Sequence, residues 1–172
     1  MALREIVLLG DPVLRKPAQE VESFDEELQG LVEDMFATMA AAEGAGLAGP
    51  QVGISKRVLV ADVRHVEGDH ARVALVNPRV VETSDEAEKE AEGCLSIPGV
   101  SEVVERPYQV VVEGHDPTGE PVRIEAGGLF ARVLQHEIDH LDGVLFIDHL
   151  SPLKRRMLLK RYRKLREEEE GG

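Results

Sequence analysis

Cysteine is nearly absent from this sequence: the 172 residues include a single one, Cys94. One cysteine excludes an internal disulfide, which is typical of proteins that work in a reducing compartment. Also absent is any apolar run that approaches the roughly 20 residues needed for a membrane-spanning helix. The first residues do not resemble a signal peptide, because Glu5 follows Arg4 directly and a Gly10-Asp11-Pro12 turn comes soon after. We therefore expect a cytoplasmic protein without a membrane association.

Positive charge is scarce outside one segment. The chain has 20 basic and 33 acidic residues, a net charge of −13, yet residues 154–166 contain eight basic residues and no acidic one. Apolar residues recur in this segment at helical spacing, which predicts a basic amphipathic helix. The charge asymmetry favours an anionic partner, either RNA phosphate or an acidic membrane surface. The alternative is a solvated helix that packs on the rest of the protein.

The chain also lacks internal repeats and low-complexity linkers, and its length suits one domain with its own core. Apolar spacing predicts helices at residues 24–42 and 129–141, and Ser151-Pro152 opens a last helix. Strands are predicted at residues 56–62, 72–76, 102–105, 109–113, 121–125 and 144–147. This order predicts an α+β fold in which antiparallel or mixed strands surround the central helix 129–141 and a C-terminal helix follows.

What the sequence does contain is a His-Glu-x-x-His pattern, at His136, Glu137 and His140 in the predicted central helix. Residues four apart lie on one face of a helix, so both imidazoles can bind one metal ion while the glutamate reaches a water beside it. Apolar residues cover most of this helix, which argues against the alternative of two solvated histidines. The pattern predicts metal-assisted hydrolysis of an amide-like bond.

A catalytic metal of this kind usually has a third protein ligand. The pattern in which a third histidine follows the second fails here, because Phe146 occupies its place. The acidic residues after His140 lie either too close or in the charged tail. Cys94 is the better candidate, since Gly93 and the Pro98-Gly99 turn place it in a loop-like stretch. A lone cysteine that is simply a small buried residue is the alternative.

Three segments taken together resemble the bacterial peptide deformylase family. They are Gly44-Ala-Gly-Leu-Ala-Gly-Pro-Gln51, Glu92-Gly-Cys-Leu-Ser96 and Gln135-His-Glu-Ile-Asp-His-Leu141, and the likeness covers about residues 6–150. The resemblance implies a catalytic domain at residues 1–150. The residue pattern that follows predicts a basic helix at 151–166 that packs on or beside this domain, and a disordered tail at 167–172. One departure is Gly49, where the family usually has alanine, and from it we expect a looser loop.

The resemblance also implies what each site residue does. The substrates would be nascent proteins that begin with N-formylmethionine, and the product is formate. Cys94, His136 and His140 would bind ferrous iron, with zinc, nickel or cobalt possible in the same site, whereas the ligand types alone favour zinc. Glu137 would be the general base. The remaining roles are oxyanion stabilisation by the Gln51 side chain and the Leu95 backbone N–H, and substrate binding by Gly44, Gly46, Leu129 and Val133.

Other interpretations of the same residues stay open at this point. Leu129 and Val133 could be core residues, and Arg132 beside them could alter substrate preference. A zinc endopeptidase of the His-Glu-x-x-His type would need a different third ligand. A structural metal site in an RNA-binding protein would need a fourth ligand, for which His65, His70, His115 and His149 are the candidates. For the basic helix, the resemblance favours the ribosome as partner.

Overall fold

The computed structural model describes residues 2–171 and has the predicted α+β fold, with antiparallel sheets around a buried helix. The helices are α1 (Glu26–Ala41), α2 (Arg64–Glu67), α3 (Gly128–Leu141) and α4 (Pro152–Gly171). The strands are β1 (Gly46–Ala48), β2 (Val58–Asp62), β3 (Arg72–Thr83), β4 (Ala87–Cys94), β5 (Ile97–Pro107), β6 (Gln109–His115) and β7 (Pro121–Gly127). Short 3-10 helices span Pro12–Arg15, Gly49–Val52 and Phe146–His149.

Two sheets frame the molecule. The larger has the order β1-β2-β3-β6-β7, and β1 lies at its edge, paired with β2 through Leu47 and Val60. The smaller sheet is the β4–β5 hairpin, whose tight turn at Leu95 and Ser96 follows directly after Cys94. Every pair of strands is antiparallel. Among residues 2–171, no helix combines the length and the apolar character that crossing a bilayer requires.

The central helix α3 is buried on nearly all sides, as its apolar sequence predicts. Phe130, Leu134 and Leu141 pack against the larger sheet and are at most 1% exposed. The helix ends before Gly143, whose φ of +76° is the left-handed conformation that favours glycine after a helix. These hydrophobic contacts fix the rotation of α3 about its axis. They therefore also fix the direction in which its two histidines point.

Two local predictions were wrong, and strand β4 was not predicted. Residues 87–94 form β4, although their Ala- and Glu-rich sequence has little intrinsic strand preference; pairing with β5 along the whole hairpin stabilises the strand. Cys94 therefore ends a strand instead of lying in a loop. The segment 144–147, predicted as a strand, instead leads into and overlaps the 3-10 helix Phe146–His149, whose first residues are buried in the apolar cluster that includes Leu158 of α4.

The last helix is longer than predicted. It continues to Gly171, so that residues 167–171, which the sequence predicted to be a disordered tail, are helical, while Gly172 lies outside the described residues. Glutamate is a good helix former, and Arg166 pairs with Glu169 one turn later. Leu158 and Tyr162 bury one face of α4 against β5.

Candidate metal centre

Three side chains meet where the β4–β5 hairpin approaches α3. Cys94 is the last residue of β4, and His136 and His140 lie one turn apart on α3. One ligand atom from each lies within 4.8 Å of the other two, and Sγ of Cys94 is 3.4 Å from Nε2 of His140. Two imidazoles and a thiolate at these distances are a donor set that suits a divalent transition metal.

A buried glutamate orients one of the two histidines. Nδ1 of His136 donates to Oε1 of Glu92 at 2.9 Å, which leaves Nε2 free to face a cation. Oε2 of Glu92 accepts from Nε of Arg106 at 2.5 Å and from Nη1 of Arg132 at 2.6 Å. Burial alone would raise the pKa of Glu92, but the hydrogen bond from His136 and the guanidinium of Arg106 outweigh it and lower the pKa to about 2. Glu92 is therefore ionised and acts as an acceptor only.

The two histidines differ in their protonation without a metal. Burial and the neighbouring His136 lower the pKa of His140 well below its usual value, so its imidazole is neutral and able to bind a metal. Burial also acts to lower the pKa of His136, but Glu137, Cys94 and Glu92 outweigh it and raise that pKa well above its usual value. A proton and a cation therefore compete for Nε2 of His136.

Glu137 follows His136 on α3 and lies beside these donors. Its side chain is 4% exposed, and its Oε1 has no hydrogen-bond partner among the described residues. Burial raises the pKa of this carboxyl to about 7, against the opposing charge of His136. A buried carboxylate without a partner costs stability, so its persistence points to a function in which a proton is transferred.

The metal donors number three among residues 2–171, and no fourth side chain joins them. Of the alternative ligands, His149 is instead 2.8 Å from Oδ2 of Asp139, and neither it nor His65, His70 or His115 belongs to the cluster. Three protein ligands with an adjacent carboxylate fit a catalytic metal rather than a structural one. The residues present therefore fit the metal that the sequence pattern predicts.

Gln51 joins the site from the 3-10 helix that follows β1. Its Oε1 accepts from the backbone N–H of Ala48 at 3.0 Å, which turns Nε2 toward Sγ of Cys94 at 3.6 Å and Oγ of Ser96 at 3.2 Å. The amide is 1% exposed, so its orientation is fixed by these partners. An N–H donor is thus held next to the metal donors.

The site opens into a cleft of about 550 Å³. The predicted site residues that line it are Gly44, Gly46, Gln51, Cys94, Leu95, Leu129, Val133, His136 and Glu137. His140 lies deeper and is 1% exposed. Leu129 is 36% exposed and Val133 is buried, so the two contribute an apolar wall next to the metal donors. The structure therefore brings the predicted residues together from three separate segments.

Gly49 does not loosen the loop, contrary to our expectation from the sequence. A Cβ placed on this residue would lie 2.7 Å from the carbonyl oxygen of Lys56 and 2.8 Å from that of Ile54. Both neighbours are backbone atoms, so the chain packs tightly here and leaves no room for a side chain.

Sequence reasoning missed the polar residues that support the site. Glu92, Arg106 and Ser96 were not predicted to have a role, although Glu92 lies two residues before Cys94 and so faces the same side of the strand. The available signals for Glu92 were this spacing and its place in the Glu92–Ser96 segment that resembles the family. Arg106 carries no such signal, because its contact depends on the register of the hairpin, in which it pairs with Glu88.

Comparisons with known proteins agree with this geometry. The family model described as "Polypeptide deformylase" matches residues 3–156. A peptide deformylase of Brucella suis is 48% identical over 165 residues, covering 96% of this chain and 94% of the relative. A peptide deformylase of Natranaerobius thermophilus is 50% identical over 155 residues, covering 90% of this chain and 97% of the relative.

Solved structures give the same result. The crystal structure of a peptide deformylase from Legionella pneumophila has a TM-score of 0.90 at 45% identity and covers 98% of both chains. The enzyme from Ehrlichia chaffeensis in complex with actinonin has a TM-score of 0.88 at 41% identity, covering 95% of this chain and 98% of that one. These similarities do not support the zinc endopeptidase alternative. Together with the Cys-His-His cluster, they show that the chain belongs to the polypeptide deformylase family of metal-dependent hydrolases.

Proposed function

We propose that this chain removes the N-formyl group from nascent proteins that begin with formylmethionine, and that it does so at the cluster of Cys94, His136 and His140. The observation that carries the proposal is the buried carboxylate of Glu137, which lies beside three metal donors at the bottom of an open cleft. A base, a Lewis-acid site and an accessible cleft are the parts that hydrolysis of a formamide requires.

Glu137 has the role of general base. It takes a proton from the attacking water and returns it to the leaving nitrogen, which needs a pKa near the working pH. A divalent ion bound by Cys94, His136 and His140 would supply Lewis acidity at the formyl group. The negative charge that develops on the formyl oxygen would accept from the backbone N–H of Leu95 and from the N–H of Gln51 Nε2 that makes only a long contact, of 3.6 Å, with Sγ of Cys94. Removal of one such donor commonly costs on the order of 100- to 1000-fold in rate.

The peptide part of the substrate fits the edge of the larger sheet. Within residues 2–171, β1 pairs with β2 alone, so the other edge of Gly46–Ala48 can bind an extended chain as an added strand. Gly44 and Gly46 line the cleft and allow the substrate backbone to come close. The apolar wall of Leu129 and Val133 suits the methionine side chain.

The native metal in this proposal is ferrous iron, with zinc, nickel or cobalt able to replace it. Iron rests on the family resemblance, while the mixed sulfur and nitrogen ligands also suit zinc. Metal analysis of protein purified without oxygen tests the assignment directly. Iron in near-equimolar amount to the protein would support ferrous iron as the native metal. Zinc in place of iron, with undiminished deformylase activity, would contradict it.

Glu137→Gln tests the base. This variant removes the proton acceptor but keeps the size of the side chain, so we expect metal content equal to wild type and loss of nearly all formate release from formyl-Met peptides. Cys94→Ala is the complementary change and should lose metal. Near wild-type turnover by Glu137→Gln would contradict the role of Glu137 as base, and full metal content in Cys94→Ala would contradict the role of Cys94 as ligand.

The basic helix α4 is proposed to bring the enzyme to the ribosome, whose RNA is anionic, and action on nascent chains would place the protein in the cytoplasm. Lys160 and Lys164 are exposed on α4, while the buried face is used for packing. Lys160→Glu with Lys164→Glu should weaken ribosome binding at low salt, with a smaller salt dependence. Lys56→Glu with Lys89→Glu makes the same charge change at exposed sites away from α4 and is the control. Equal binding by both double variants would refute the role of α4.

A further inference from the structure

The metal donors belong to two parts of the molecule that pack into different apolar clusters. The sheet cluster joins α3 to the larger sheet and includes Phe130, Leu134 and Ile138. The hairpin cluster joins the β4–β5 hairpin to α4 and includes Ile97, Val104 and Leu158, with Cys94 packed against it. Among residues 2–171, no apolar residue of α3 belongs to the hairpin cluster. Apolar packing alone therefore does little to fix the hairpin against α3.

Direct contact between the two parts near the metal donors is mostly polar. The ring of His136 faces that of Phe146 at 6.2 Å between ring centres. Hydrogen bonds supply further contacts, and those from Arg132 and His136 of α3 both end on Glu92 of β4. The position of Sγ of Cys94 relative to the two imidazoles thus depends on how these bonds hold the hairpin.

Arg132 makes more of these bonds than any other residue of α3. It lies one turn before His136 and is 7% exposed. Its Nη1 donates to Oε2 of Glu92 at 2.6 Å and to the carbonyl oxygen of Val104 at 2.9 Å, and its Nη2 donates to the carbonyl oxygen of Glu88 at 2.6 Å. One guanidinium thus binds both strands of the hairpin. Three of its five N–H groups are bonded and its charge is paired with Glu92, so the guanidinium is held against the hairpin, although Arg132 also lines the cleft.

We propose that Arg132 is a positioning residue, which fixes the hairpin and the thiolate of Cys94 against the two histidines of α3. The inference rests on the proposed metal site. Arg132 and His136 bind the two oxygens of the same carboxylate, so Glu92 joins the helix to the strand on which Cys94 lies two residues later. A planar guanidinium can bond three acceptors in fixed directions, which a flexible side chain cannot do. Loss of these bonds leaves the thiolate less well placed and the metal more weakly held.

Arg57 supplies a matched control. Its Nη1 donates to the carbonyl oxygen of Leu141 at 3.0 Å and to Oδ1 of Asp142 at 2.9 Å, so it also binds the α3 region through a carbonyl and a carboxylate. In the described structure it contacts neither Glu92 nor the hairpin. Arg132→Met and Arg57→Met thus remove similar bonds from α3, but only the first removes the bonds to the strand that carries Cys94.

In the experiment, the full-length chain is loaded with nickel, and the rate at which the ion passes to an excess of chelator is measured. The temperature of thermal unfolding is measured on the same samples. Loss of a residue that orients metal ligands typically costs about 10- to 100-fold in metal affinity, so we expect release from Arg132→Met to be faster by that factor. Arg57→Met should unfold at a lower temperature yet release nickel at nearly the wild-type rate. Wild-type release by Arg132→Met, or equal acceleration by both variants, would overturn the proposal.

Arg132→Lys keeps the inference testable if the methionine variant does not fold. Lysine can donate to Glu92 but cannot also reach Val104 and Glu88 in the same planar arrangement, so we expect several-fold faster release, and release at the wild-type rate would refute the proposal. The measurement of nickel release does not require the protein to turn over a substrate, so it is independent of the proposed function. If wild-type protein failed to produce formate from formyl-Met peptides, the proposed function would be wrong, and the release comparison would still decide the role of Arg132.

Discussion

At Gly46, the addition of a single methyl group should strongly lower activity, because the residue lies against Glu137. A Cβ on Gly46 would lie 2.6 Å from Oε2 of Glu137 and 2.8 Å from Cγ1 of Val133. Ordinary contacts begin near 3.4 Å, so Gly46→Ala would push the carboxylate of Glu137 back by roughly 0.8 Å. Glu137 cannot retreat freely, because it is 4% exposed and lies on a helix whose rotation is fixed by packing.

The expected loss follows from this displacement. A misplacement of about 1 Å at a reacting group can cost about 100-fold in rate, which corresponds to roughly 2.7 kcal/mol of transition-state stabilisation. Overpacking of a core position typically costs a further 1–3 kcal/mol of folding stability, by order of magnitude. We therefore expect kcat/KM for formyl-Met peptides to fall about 100-fold in a protein that still folds.

The assay is formate release by metal-loaded Gly46→Ala, with metal content and thermal unfolding measured on the same preparation. Gly30→Ala is the control, because a Cβ there meets nothing within 4 Å and the residue lies within α1, where alanine is the better helix former. Activity of Gly46→Ala within about threefold of wild type, at equal metal content, would refute the reasoning that Glu137 is held by this close approach.

Two further predictions concern stability. Gly49→Ala introduces a Cβ against two backbone carbonyls and should lower the free energy of unfolding by about 1–3 kcal/mol, measured by urea denaturation beside Gly30→Ala; unchanged stability would show that the loop can relax. In metal-free protein, the pKa of Glu92 is lowered from 4.5 to about 2, so its ionisation stabilises the fold above pH 4.5 and this contribution is lost as the pH falls toward 2. Between pH 5 and pH 3, the free energy of unfolding should therefore change less with pH in Glu92→Gln than in wild type. Glu90→Gln changes an exposed residue on the same strand and should behave like wild type. The same change of unfolding free energy with pH in all three proteins would contradict the lowered pKa of Glu92.

The reaction chemistry was the part most accessible to sequence reasoning. His136 and His140 are four residues apart in a strongly apolar helix, and local periodicity is enough to place them on one face. Cys94 was proposed as third ligand for its surroundings in the sequence, and the structure places it within reach of both histidines. The strand that carries it was missed, since residues 87–94 acquire their conformation from pairing with β5.

The amino-acid sequence by itself determined the α+β fold class, the helix that carries the two histidines and the reaction class, because each of these depends on residues close together along the chain. Tertiary structure alone decided that Glu92, Arg106 and Arg132 meet in one buried cluster and that Gly49 has no room for a methyl group. Hairpin register and close packing set these contacts between residues far apart in sequence, and local periodicity carries no information about either.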